Sequence, residues 1–157
     1  MLKILSLALW FLIFLSGCNS VPQVPNFAEV KAEPNTAVVY IYRLRTPPYA
    51  RKPDIKVNDI VVAELPTNSY TALKLKSGTY TIKTDWGFLD NLILSRSASL
   101  SVVENKSYYV HFAGNAGLIG TTVSYGARVL VGDATTIPSD LASCSYVAPL
   151  VASPDPQ

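Results

Sequence analysis

Between residues 37 and 131 the chain is a succession of short runs rich in Val, Ile, Tyr and Thr, broken by turn residues, and nothing there reads as a long amphipathic helix. Side chains alternate between the two faces of a strand, whereas a helix repeats its apolar positions every three to four residues, so this pattern points to a β fold. The first predicted strand, 37–45, places Val38, Tyr40, Tyr42 and Leu44 on one face and Val39, Ile41, Arg43 and Arg45 on the other. Apolar residues on both faces at its start predict burial on both sides. Thr46-Pro47-Pro48-Tyr49 should end it, because neither proline has an N–H for a ladder.

Strands 54–57 and 60–65 are predicted as a hairpin across Asn58-Asp59, residue types that tolerate a left-handed backbone. Strands 69–75 and 79–86 are predicted as a second such pair, hinged at Lys76-Ser77-Gly78. Residues 91–103, as one long strand or two broken ones, then 107–112 and 121–131 follow, with Glu104-Asn105-Lys106 as a polar turn. Some eight short strands in a chain of 157 residues describe one all-β domain over 37–133, a small antiparallel β-sandwich of immunoglobulin-like or transthyretin-like form. Residues 134–157, rich in Pro, Ala and Ser, are expected as a C-terminal tail that is loose or lies across the domain.

The N-terminus has a different character. Lys3 precedes an apolar run, 4–15, and the small residues Ser16 and Gly17, which is the order of an export signal. A run of about a dozen residues is short of the roughly 20 that span a bilayer as a helix. Leu15-Ser16-Gly17-Cys18 resembles the bacterial lipobox, and the resemblance implies cleavage after residue 17, a diacylglycerol thioether on Cys18 and an acylated amino group. Residues 1–17 are then a signal peptide, and 18–36, with Pro22, Pro25 and Pro34, a lipidated cysteine followed by an extended flexible tether. Asn19, where an Asp would favour inner-membrane retention among lipoproteins sorted as in enterobacteria, points to the outer membrane, facing the periplasm. The first expected partner is therefore a membrane, reached through lipid. Lipidation leaves Cys144 without an intramolecular partner, so no disulfide framework is expected. Removing Lys3 with the leader leaves 12 basic against 11 acidic side chains, a balance that argues against nucleic-acid binding.

Val39-Tyr40-Ile41-Tyr42-Arg43, Val57-Asn58-Asp59, Leu75-Lys76-Ser77-Gly78-Thr79-Tyr80 and Lys106-Ser107-Tyr108-Tyr109-Val110, in that order and behind a lipobox, resemble the bacterial lipoprotein family known as domain-of-unknown-function-2846. The similar stretch runs over about 37–112. It implies a β-sandwich at the cell envelope and brings no catalytic residues. The PEGA-type β-domain shares the hairpin logic, but Asp59 and Ser77 stand here where that pattern has Gly and Pro.

Chemistry-bearing residues are sparse. His111 is the single histidine, no metal-ligand spacing surrounds it, and no metal or other cofactor is expected. The Gly-x-Ser-x-Gly elbow of a serine hydrolase is missing. Asp85 and Asp90, flanking Trp86-Gly87-Phe88, and His111 are the residues a cell-wall glycan-acting enzyme would have to use. Their plainer reading is acidic residues at a loop tip and a locally satisfied strand histidine. Residues 114–120, with three glycines, superficially resemble a phosphate-cradling loop, yet strand-like Thr121-Thr122-Val123 follows instead of a helix, so a flexible connection or close backbone packing is expected. The leading expectation is a non-catalytic binding or structural module for an envelope protein or an anionic glycan. Arg45, Tyr49, Arg51, Lys52 and Lys56, with Arg43 behind them, gather positive charge around the 46–53 loop and are its candidate binding residues.

Overall fold

A computed structural model describes residues 27–46, 49, 51–87, 97–119, 122–130, 139–151 and 154–156. The leader, the lipobox with Cys18, and Asp90 lie outside the described residues. The chain is an all-β sandwich. Its strands are β1 (Thr36–Arg43), β2 (Asp54–Val57), β3 (Ile60–Glu64), β4 (Ser69–Lys76), β5 (Gly78–Asp85), β6 (Ser97–Val102), β7 (Ser107–Ile119), β8 (Thr122–Leu130) and β9 (Ser145–Tyr146), with a 3-10 turn at Ser139–Ser143. One sheet has the order β8-β7-β1-β4-β9 and the other β3-β2-β5-β6.

The two faces of β1 go to two different cores, as its alternation requires. Ala37, Val39 and Ile41 point between the sheets, where they meet Leu73 and Leu75 of β4, Tyr108 and Val110 of β7, and Ile55, Tyr80, Ile82 and Leu100 of the opposite sheet. Val38, Tyr40 and Tyr42 point outward and are buried all the same, against Tyr70, Tyr109, Leu141 and Cys144, with Phe27, Val30 and Leu44 packed on them. Tyr40 stacks on its register partner Tyr109 with centroids 5.3 Å apart. These tyrosines are packing residues of an outer core rather than an open binding surface.

Both segments that flank the strand region help to close that outer core. Part of 18–36 was expected as an extended tether, yet Phe27 lies 5.4 Å from Tyr40 and 5.5 Å from Tyr70, and the Val30 amide donates to Tyr40 Oη at 2.9 Å. The C-terminal stretch, expected as a tail, contributes buried Leu141 and Cys144 and adds β9 parallel to β4. It then crosses between the sheets: the Leu150 amide donates to the Val62 carbonyl of β3 at 2.8 Å, and Pro156 rests on Gly78. Neither role is visible in composition, because two or three apolar residues suffice to dock a segment that is otherwise polar or proline-rich.

The β2–β3 hairpin forms where predicted. Asn58 and Asp59 have φ of 49° and 64°, the two left-handed residues of a type I′ turn. The second predicted hairpin does not form. β4 pairs with β1 and β9, β5 pairs with β2 and β6, and Ser77 alone connects them. A hairpin connection commonly takes two or more residues, so this one-residue link carries the chain from one sheet to the other. The sandwich is also not purely antiparallel: β1 pairs in parallel with β7, and β4 with β9. A parallel pair needs a long crossover, and between β1 and β7 that crossover runs through all four strands of the second sheet and β4. Residues 114–119, expected as a connection, continue β7, with the register against β8 shifting between Ala113 and Gly117. An irregularity beside glycines in a strand is the signature of a bulge.

Candidate functional site

Arg43 ends the inward face of β1 and is 2% exposed. A guanidinium removed from water must place its N–H groups on acceptors, or the burial is prohibitive. Nη1 donates to the Arg51 carbonyl at 2.8 Å and to the Leu65 carbonyl at 3.3 Å, and Nη2 to the Thr46 carbonyl at 2.9 Å. The guanidinium carbon lies 5.2 Å from the centroid of the Trp86 ring, a cation–π distance. Both ends of the loop after β1 are thus tied to one buried cation. Pro53 is buried at the far end, where its carbonyl accepts from the Leu65 amide at 3.0 Å.

On this clamped loop Arg45, Arg51 and Lys52 are exposed and Tyr49 is 61% exposed. Four of the five expected binding residues therefore share one exposed loop. Lys56 is the exception. It stands on β2 and makes an ion pair with Asp85 of β5, which holds its ammonium above the usual lysine pKa. The two are diagonal neighbours on the outer face of the four-stranded sheet, where Asp54 sits opposite both Glu64 and Asp85. Partial burial raises the Asp54 pKa, the Glu64 and Asp85 charges raise it further, and Lys56 opposes them. Lys56 therefore belongs to a mixed-charge cluster and not to the basic loop.

Of the residues considered for glycan chemistry, the two that are described, Asp85 and His111, do not converge. Asp85 accepts the Gly87 amide at 2.8 Å through Oδ1 and engages Lys56 through Oδ2, so it anchors a turn and an ion pair. His111 is stacked on Tyr42 at 4.5 Å, with ring planes 4° apart, on the outer face of the other sheet. The sandwich core lies between them. Among the described residues, no group of three or more His, Cys, Asp and Glu side chains is placed to hold a metal ion.

Sequence reading placed the loop with Arg43 behind its other cations, but not the clamp. Its acceptors are main-chain carbonyls, which every residue has, so composition carries no sign of them. A groove of about 410 Å³ beside β4, lined by Val30, Glu33, Lys74, Tyr146, Pro149 and Val151 among others, also went unread because three segments distant in sequence build it.

The model for the family described as Protein of unknown function (DUF2846) matches residues 33–124, more than half of the chain. The match runs from the turn before β1 into β8 and does not include the crossing C-terminal segment. No match was found among curated proteins or solved structures.

Proposed function

We propose, from the premise that the chain belongs to the DUF2846 family, that it is a lipid-anchored envelope protein whose sandwich is a non-catalytic binding module for an anionic glycan or acidic protein partner. In this reading the signal peptide is removed, Cys18 carries the lipid, and the domain faces the periplasm from the outer membrane. The observation that carries the binding role is the clamped loop, on which Arg43 holds the backbone at Thr46 and Arg51 while Arg45, Tyr49, Arg51 and Lys52 stay exposed. Cations on a backbone held by a buried partner lose less freedom on binding than cations on a loose loop, so less of the attraction is spent on ordering. Tyr49 adds a flat amphipathic contact of the kind that suits sugars and peptides.

The test is binding of the delipidated domain to an acidic envelope glycan across a salt series. The triple variant Arg45→Gln, Arg51→Gln, Lys52→Gln should bind about tenfold or more weakly and with a flatter salt slope, because exposed charges act over only about 8–10 Å in salt. Lys56→Gln should bind like wild type. Equal binding and equal salt slope for the triple variant and wild type would remove the loop from the function.

A further inference from the structure

We propose that the outward edge of β4 at 72–76 receives an extended segment of a partner protein, added antiparallel as a further strand, with a carboxylate near Lys76. The argument begins with hydrogen-bond parity. The Tyr70 carbonyl accepts from the Val147 amide at 2.8 Å, on the side away from β1. In an antiparallel ladder alternate residues turn both main-chain groups the same way, so Ala72 and Lys74 also direct their N–H and C=O outward. β9 covers this edge only at Ser69 and Tyr70, after which the chain leaves toward β3. Among the described residues no strand pairs with β4 beyond that point on this side.

The uncovered edge is the floor of the 410 Å³ groove, a volume within the range of ligand pockets, about 300–1,000 Å³. Val30 and Glu33 form one wall, and Tyr146, Pro149 and Val151 the other. Tyr146 is 50% and Val151 38% exposed, so the walls offer apolar surface to an occupant. A floor of alternating donors and acceptors at strand spacing selects polypeptide over lipid, because only another main chain matches that repeat. The added strand would continue an interface that β9 already makes on the same edge.

Charge narrows the partner. Edge strands are usually guarded against pairing by lysines. On β4 that guard is half removed, since Lys74 is neutralised by Glu33 at 2.6 Å. Lys76 stays exposed at the far end, where its carbonyl is taken by Tyr80 Oη at 3.0 Å and strand pairing would stop. A carboxylate at that end of the incoming segment meets a cation where the ladder finishes.

The C-terminus supplies a direct test. Pro156 packs against Gly78, so a tail added after Gln157 through a short Gly-Ser linker starts at the Lys76 end and must run antiparallel to β4. The probe is the full chain carrying the tail Glu-Val-Thr-Val-Thr, present at an effective concentration of roughly millimolar. The tail should slow amide exchange at Ala72 and Lys74 about tenfold or more relative to the untailed chain. Lys74→Pro deletes an outward N–H that β1 does not use, so the tailed variant should keep its circular dichroism spectrum and lose the protection. A tail with proline at alternate positions should give none, which repeats the test without altering the domain. Absence of protection with the first tail, or protection that survives both proline changes, overturns the proposal. So does protection of the untailed chain by phosphatidylglycerol vesicles when the tail gives none, which would make the groove a lipid contact.

Discussion

Asn58 and Asp155, 97 positions apart, are joined by a hydrogen bond of 2.8 Å from the Asn58 side-chain amide to the Asp155 carbonyl. The same side chain accepts the Thr81 amide at 2.9 Å through Oδ1, and the Asn58 main-chain amide donates to the Thr81 carbonyl at 2.9 Å. One turn residue thus links the β2–β3 hairpin, β5 and the end of the crossing segment.

Asn58→Ala should lower unfolding stability by about 2–3 kcal/mol, from two lost side-chain hydrogen bonds and a φ of 49° that alanine resists. Asn58→Gly keeps the backbone conformation and should recover about 1 kcal/mol of that loss. Urea unfolding of both variants checks the difference. In both, the C-terminal segment should be cut sooner by a nonspecific protease, because its anchor at Asp155 is gone.

Arg43→Ala leaves the carbonyls of Thr46, Arg51 and Leu65 without this donor and uncovers one side of Trp86. A loss of about 2–4 kcal/mol is expected. In a chain beginning at Asn19, which lacks Trp10, Trp86 is the single tryptophan, so a red shift of its emission reports the opening directly. Arg43→Lys should restore only part of the stability, since one ammonium cannot span acceptors at both ends of the loop.

Cys144 gives the alkaline behaviour a sign. Burial pushes its thiol up from 9.0 to about 11, so the unfolded chain ionises first as pH rises. Stability is then whole below pH 9.0 and falls toward about 11, by roughly 2 kcal/mol from this group. Burial raises Tyr42 from 10.0 to about 12 in the same sense, with Asp140 and Cys144 adding to it, which extends the fall. Cys144→Ala should start less stable because of its cavity but lose less between pH 8 and 11. An identical pH slope in urea midpoints for wild type and Cys144→Ala would contradict the assignment.

A chain beginning at Asn35 lacks Phe27 and Val30, which cover Tyr40 and Tyr70. Compared with a chain beginning at Asn19, it should lose about 2–4 kcal/mol, about the cost of two lost apolar contacts and of the hydrogen bonds from the Ala28 and Val30 amides to the Tyr70 and Tyr40 hydroxyls. It should also self-associate through the uncovered tyrosines at high concentration, which sedimentation at several loadings measures. Equal stability and a monomer at all loadings would make residues 27–30 a passive tether.

Period-two alternation in 37–45 told which side chains share a face, and the Asn-Asp pair told where a hairpin turns, because both are set by backbone geometry within a few residues. The same local logic misread Ser77 as a hairpin hinge, since leaving one sheet for the other and reversing within it call for similar turn residues. It also placed Lys56 with the basic loop, because distance along the chain hides the ion pair with Asp85 across two strands. Sequence by itself determined most of the strands, though not β9 or the run of β7 through 114–119, along with the split faces of β1 and the cluster of cations around 45–52. Tertiary structure alone decided which cations stay exposed, which carbonyls Arg43 occupies, and that among the described residues no strand pairs with β4 at 72–76 on the side away from β1, beside Tyr146 and Val151. Those outcomes depend on groups many positions apart meeting through space, where burial and hydrogen-bond completion, and not local propensity, decide which contacts form.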